Sequence, residues 1–128
     1  MGHSTKMWLS LCDAFVFSCD ISNKDETVEA AKLIWQHNPS RFFYINRGSD
    51  MFGGAVSSWN FDLAFIDGAH DQMSIFGDIC MCKDMKIPYL LFDDWYPRYG
   101  ETQKAVALFP ELELVKDMNN LRLYKINY

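Results

Sequence analysis

The 128-residue sequence has no apolar run longer than a strand, no cluster of basic residues, no internal repeat and no linker rich in Pro, Gly or Ser. A membrane-spanning helix needs about 20 apolar residues, so the expectation is a protein with no membrane partner. Lys and Arg number 12 against 17 Asp and Glu, for a formal charge of −5. A protein that grips nucleic acid through its phosphates needs a basic face, so no nucleic acid partner is expected. Met1 to Lys6 lacks a cleavable small-residue site and does not read as a leader. The four cysteines, Cys12, Cys19, Cys80 and Cys82, supply only a C-x-C pair, too short for the usual C-x-x-C zinc or redox arrangement. Burial as small hydrophobes, reduced in a cytoplasmic protein, is the expectation for them. No G-x-S-x-G elbow and no G-x-x-x-x-G-K loop occurs, which argues against a serine hydrolase and a P-loop nucleotidase.

What is present is material for one core. Apolar residues make up 49%, aromatics 16% and charged residues 23%, enough to fill the space between a sheet and its helices. Short apolar runs alternate with helix-periodic segments, the pattern of an α/β domain with a mostly parallel sheet. Ala14 to Ile21 reads as a strand ending in Asp20, with Ser22 and Asn23 able to cap the helix that follows. Val28, Ala31, Ile34 and Trp35 recur at helical spacing until Asn38-Pro39. Arg41 to Asn46 is a second strand, followed by Gly48-Ser49-Asp50 and a short helix over Asp50 to Ser58. Phe61 to Asp67 is the clearest strand. Met73, Phe76, Ile79 and Cys80 then line one side of a helix that runs to about Lys83. Pro88 opens Tyr89 to Asp93, an apolar run of the kind buried on both faces. A helix over Thr102 to Phe109 precedes Leu112 to Met118 and Leu121 to Tyr128, two strands joined by Asn119-Asn120 as a hairpin.

That order, sequential βα units and then an antiparallel pair, resembles the class I S-adenosylmethionine-dependent methyltransferase fold, whose last strand turns back antiparallel at the sheet edge. Phe61-Asp62-Leu63-Ala64-Phe65-Ile66-Asp67-Gly68-Ala69-His70 and Leu91-Phe92-Asp93-Asp94-Trp95 look like the corresponding stretches of O-methyltransferases of the macrocin and catechol type. Gly2-His3-Ser4-Thr5 looks like the tail of that family's glycine-rich cofactor loop. In the family a strand carrying an acidic residue precedes this loop, whereas only Met1 precedes Gly2 here. The expected fold is therefore a Rossmann-like methyltransferase sandwich over residues 1–128, a single domain with its first, central strand missing or incomplete.

Acidic residues at the C-terminal ends of strands are the main chemical signal, because ligands of open α/β sheets bind in the crevice outside those ends. The resemblance gives Asp20 the two ribose hydroxyls of S-adenosylmethionine. The alternative reading of Asp20 is an acid at the start of the next helix. Gly2 and Ser4 stand where a loop would enter a helix, whose free amides can receive the cofactor's carboxylate; ordinary capping accounts for them too. Gly48 and Ser49 fall where the family places adenine contacts, or form a plain turn. Asp67, Asp93 and Asp94 would point three like charges into one crevice, which calls for a compensating cation. Oxygen-only ligands suit Mg²⁺, which would bind substrate oxygens and lower the pKa of a small-molecule hydroxyl. The alternative is a cap, a solvated acid and no metal. His70, in the loop after its strand, could act as general base, and Trp95, Tyr96 and Tyr99 could wall an acceptor pocket or belong to the core.

The function expected is methylation of a small-molecule hydroxyl assisted by a divalent metal. The leading rival is a non-catalytic, degenerate methyltransferase-like module that binds a partner, favoured by the missing strand and by the lack of the usual Pro-Gly-Gly turn before Tyr89. A nicotinamide-dependent oxidoreductase ranks lower, since it needs G-x-G-x-x-G after its first strand. An exposed sheet edge at the missing strand could promote self-association.

Overall fold

Alternating apolar positions make strands and apolar positions at three- to four-residue spacing make helices, and the chain sorts itself accordingly. The computed structural model describes residues 3–20, 24–45, 48–49, 56, 58–69, 71–93, 95 and 100–128. These form α1 (His3–Leu11), β1 (Val16–Cys19), α2 (Asp25–His37), β2 (Phe42–Ile45), β3 (Leu63–Ile66), α3 (Gln72–Asp84), β4 (Tyr89–Phe92), α4 (Glu101–Val106), β5 (Leu112–Met118) and β6 (Leu121–Ile126). The small α/β architecture carries two sheets and divides into two compact units, Met1–Phe52 and Gly53–Tyr128. Among the described residues no helix is long and apolar enough to cross a membrane.

In the first unit β1 and β2 pair in parallel, Val16 opposite Phe42 and Cys19 opposite Ile45. Val16, Phe42 and Tyr44 share the face that packs on Leu9 of α1 and on Ala31 and Ile34 of α2. Phe17 and Phe43 belong to the opposite face and stack with centroids 4.7 Å apart. α1 ends without a basic residue in its last turn, and the Arg41 guanidinium meets the need from β2's side. It donates to the carbonyls of Leu9, Cys12 and Ala14, which satisfies acceptors that a helix end leaves without intrahelical partners. α2 has Asp25 and Glu26 in its first turn, favourable near exposed amides. Its capping position is Lys24, with no side-chain cap bond; Ser22 and Asn23 lie outside the described residues. Trp35, expected on the buried stripe, is 54% exposed, and the stripe is Thr27, Ala31 and Ile34.

The second unit holds a four-stranded sheet in the order β3-β4-β6-β5. β3 and β4 are parallel, with Leu63 opposite Tyr89 and Ile66 opposite Phe92, and β6 runs antiparallel to both β4 and β5. The last strand does turn back, but it lies inside the sheet and not at its edge. The two strands of the hairpin differ in burial: β6 buries Tyr124 and Ile126, whereas β5 exposes its central residues from Glu113 to Asp117. Charged residues and a register shift between Leu114 and Lys116 make β5 the better edge, since both discourage further pairing. Asn119 in the hairpin turn adopts φ 61°, a left-handed conformation that Asn tolerates.

Ala64, Ile66, Leu90, Phe92, Tyr124 and Ile126 form the sheet face of the main core, covered by α3 and α4. α3 contributes Ile75, Ile79 and Cys82, spaced four and three residues apart. The stripe expected from the sequence was turned by about one residue: Met73 is 74% exposed, and Phe76 and Cys80 only flank the core. Burial of the four thiols is uneven, with Cys82 inside, Cys19 and Cys80 half-buried and Cys12 exposed, and all four are unbridged. The helix expected over Asp50 to Ser58 lies largely outside the described residues.

Candidate functional site

Two strand ends in the second unit meet the expectation of adjacent carboxylates. Asp67 directly follows β3 and Asp93 directly follows β4, each one residue past the registered pair Ile66 and Phe92. Neighbouring strands lie about 4.8 Å apart, and the common register places Asp67 and Asp93 on the same face by strand alternation. The pairing continues past the strands, because the Asp93 N–H donates to the Ile66 carbonyl at 3.0 Å. Asp67 is exposed and Asp93 half-buried.

A pocket of about 10 Å³, lined by Ile66, Gly68, Ala69, Ile75, Phe92, Asp93 and Thr102, opens at these strand ends. That volume holds about one water molecule. Gly68, the glycine of the Asp67-Gly68-Ala69 segment, does not take a left-handed φ, and a Cβ there would meet only Asp78 Oδ2 at 3.7 Å. Neither backbone conformation nor packing requires a glycine at this position. Asp71 caps α3: its carboxylate accepts from the Ser74 N–H at 2.9 Å and from the Ser74 hydroxyl at 2.6 Å. The Ser74 hydroxyl and amide hold the Asp71 carboxyl below the ordinary carboxylate range. This cap was not singled out from the sequence, although an Asp just before a helix-periodic apolar run is a capping signal.

His70 and Asp94 lie outside the described residues, as do Tyr96 and Tyr99. Among the described residues no three His, Cys, Asp or Glu side chains gather as a metal site would require. Trp95 belongs to the core: it is 5% exposed and packs against Phe92 and Tyr124 with centroids 5.9 and 5.7 Å away. The Trp95 N–H donates to the Asn120 carbonyl at 2.8 Å. The segment after β4 is thus fixed at Asp93 by β3 and at Trp95 by the hairpin turn.

The first unit holds the remaining candidates. Asp20 directly follows β1, and its N–H donates to the Ile45 carbonyl at 3.3 Å. Tyr44 stands on the neighbouring strand on the face shared with Ser18. Burial raises the pKa of its hydroxyl, and the nearby Asp20 carboxylate adds to the effect. That hydroxyl is buried with no hydrogen-bond partner among the described residues. The sequence reading passed over Tyr44, whose only signal is its place one residue before the end of an alternating strand. A groove of about 420 Å³ opens along β2 and α2, lined by Phe17, Val28, Trp35, Phe43, Tyr44 and Ile45 among others. Ser4 lies in the first turn of α1, inside the helix and not in the loop before it; Gly2 is outside the described residues. Gly48 and Ser49 lie three and four residues beyond β2, half-buried. No protein-family model matches the chain, and no curated protein matches it either.

Proposed function

We propose that the chain is a methyltransferase-type α/β domain that binds S-adenosylmethionine and transfers its methyl group to a small-molecule hydroxyl. The observation that carries this reading is the placement of Asp67 and Asp93 at the ends of adjacent parallel strands in register.

In this reading Asp20 accepts hydrogen bonds from the ribose hydroxyls, Gly2 and Ser4 stand at the cofactor's carboxylate, and Gly48 and Ser49 stand at the adenine. Methyl transfer needs alignment of the acceptor oxygen with the methyl carbon and sulfur, and removal of one proton; His70 is the base assigned to that proton. Asp67, Asp93 and Asp94 offer oxygen donors only, a set that fits Mg²⁺. When bound, the ion would supply positive charge that favours the deprotonated acceptor.

A second reading, a binding module of the same fold without catalysis, is favoured by the size of the pocket at the β3 and β4 ends. Among the described residues that pocket measures about 10 Å³, room for one water. Calorimetric titration of S-adenosylmethionine into the chain, with and without Mg²⁺ and with Asp20→Ala as control, tests the cofactor assignment. Saturable binding lost in the variant supports it. Absence of binding at millimolar cofactor, or equal binding by the variant, overturns it.

A further inference from the structure

We propose that Tyr128 is a latch on the end of α3: with Lys86 it seals the buried Cys82, and its release opens that end without opening the core. The latch lies at the start of β4, the opposite end of that strand from Asp93, and is independent of the function proposed above. β6 ends at Ile126, whose N–H donates to the Pro88 carbonyl at 2.9 Å. Beyond it the next two residues part. The Asn127 N–H donates to the Glu111 carbonyl at 3.0 Å, just ahead of β5. The Tyr128 hydroxyl donates to the Ile87 carbonyl at 2.9 Å, with the Cys82 carbonyl 3.4 Å away. The Tyr128 side chain thus extends by one carbonyl the pairing that the backbone makes at Pro88.

The segment it grips is a helix end that backbone bonds already close. The Ile87 N–H donates to the Cys82 carbonyl and the Lys86 N–H to the Lys83 carbonyl, both at 3.0 Å, the pairing of a Schellman turn. That turn needs a left-handed residue, and here it is Lys86 at φ 59°. Glycine takes this conformation without the cost that a side chain imposes. Glycine would also leave the Tyr128 ring uncovered, whereas the Lys86 ammonium lies 4.8 Å from its centre, within cation–π range. The strained residue and the tyrosine therefore hold each other. Burial raises the Tyr128 pKa and the neighbouring Cys82 adds to the effect, so the hydroxyl keeps the proton it donates. Cys82 and Ile87 are buried, while Tyr128 and Lys86 are exposed. The closure is thus made from outside the core by two side chains in contact with solvent. Segments held by so few contacts open locally, at a lower free energy than the whole fold.

The test compares Tyr128→Phe, which keeps the ring and removes the donor, with the unaltered chain. Three rates are read: hydrogen exchange at the Lys86 and Ile87 N–H groups, exchange at the Tyr124 N–H within β6, and alkylation of Cys82 by N-ethylmaleimide, resolved by peptide mass spectrometry. Loss of one neutral hydrogen bond corresponds to a shift of about two- to tenfold. Exchange at Lys86 and Ile87 and alkylation of Cys82 are expected to accelerate together by that factor, while exchange at Tyr124 stays constant. Lys86→Met, which removes the cation and leaves the hydroxyl, should move the same readings in the same direction by roughly two- to fivefold. Unchanged rates in Tyr128→Phe overturn the proposal. So does acceleration at Tyr124 equal to that at Ile87, which shows a general loss of stability. Faster exchange with Cys82 alkylated no faster also overturns it, since other groups then seal the thiol.

Discussion

The backbone N–H of Trp95 donates to the Asn120 carbonyl at 2.8 Å. A two-residue turn at the far end of the chain thereby holds the segment that follows the second strand-end carboxylate. The turn depends on Asn119 at φ 61°. A left-handed conformation costs an ordinary residue roughly 1–2 kcal/mol, and a β-branched one no less. Asn119→Val is expected to lower stability by about that amount and to speed hydrogen exchange at Trp95, while Asn119→Gly leaves both near their original values. Equal stability of the Val and Gly variants in a thermal melt would contradict the role given to the turn.

Gly77 and Ile79 are two residues apart on α3 and predict opposite effects. Gly77 is exposed in the helix interior, and a Cβ there meets nothing within 4 Å. Gly77→Ala should stabilise by about 0.5–1 kcal/mol, since Ala loses less backbone freedom on folding. Ile79 is fully buried at the centre of the core, so Ile79→Ala should cost about 2–5 kcal/mol. Urea denaturation of the two variants checks both signs together.

Acid should weaken the second unit at two identified carboxyls. The Ser74 hydroxyl and amide lower the pKa of Asp71, and the Lys83 ammonium lowers that of Glu111. A carboxyl with a depressed folded-state pKa binds protons more readily when unfolded. Its stabilisation is therefore complete above the unfolded-state value and is lost as pH falls through the folded-state value. The thermal midpoint is expected to drop as pH falls below about 4. Asp71→Asn, which retains an acceptor for the cap but does not titrate, should flatten that dependence; identical pH profiles would contradict the assignment.

The elements were legible where local pattern decides. Phe61 to Asp67 and Tyr89 to Asp93 contain β3 and β4, and Asn119-Asn120 forms the hairpin turn as read. What escaped the sequence was which side of each element the core would take. Met73 and Trp35 sit at spacings as good as those of Ile75 and Ile34, and only packing against the sheets separates them. The place of β6 inside the sheet was hidden for a similar reason, since a hairpin pattern does not say which of its strands pairs with β4. At the candidate site the carboxylates Asp67 and Asp93 were legible because each closes an apolar run. Tyr44 was not, because its significance comes from neighbours distant in sequence.

The most direct test of the central claim is a ¹H–¹⁵N correlation titration of the chain with S-adenosylmethionine, followed by Mg²⁺. Amide shifts on cofactor addition are expected at Asp20 and at Gly48 and Ser49, with further shifts at Asp67, Gly68 and Asp93 when Mg²⁺ is added. A spectrum unchanged by both additions, or shifts confined to residues away from the strand ends, would contradict the methyltransferase reading.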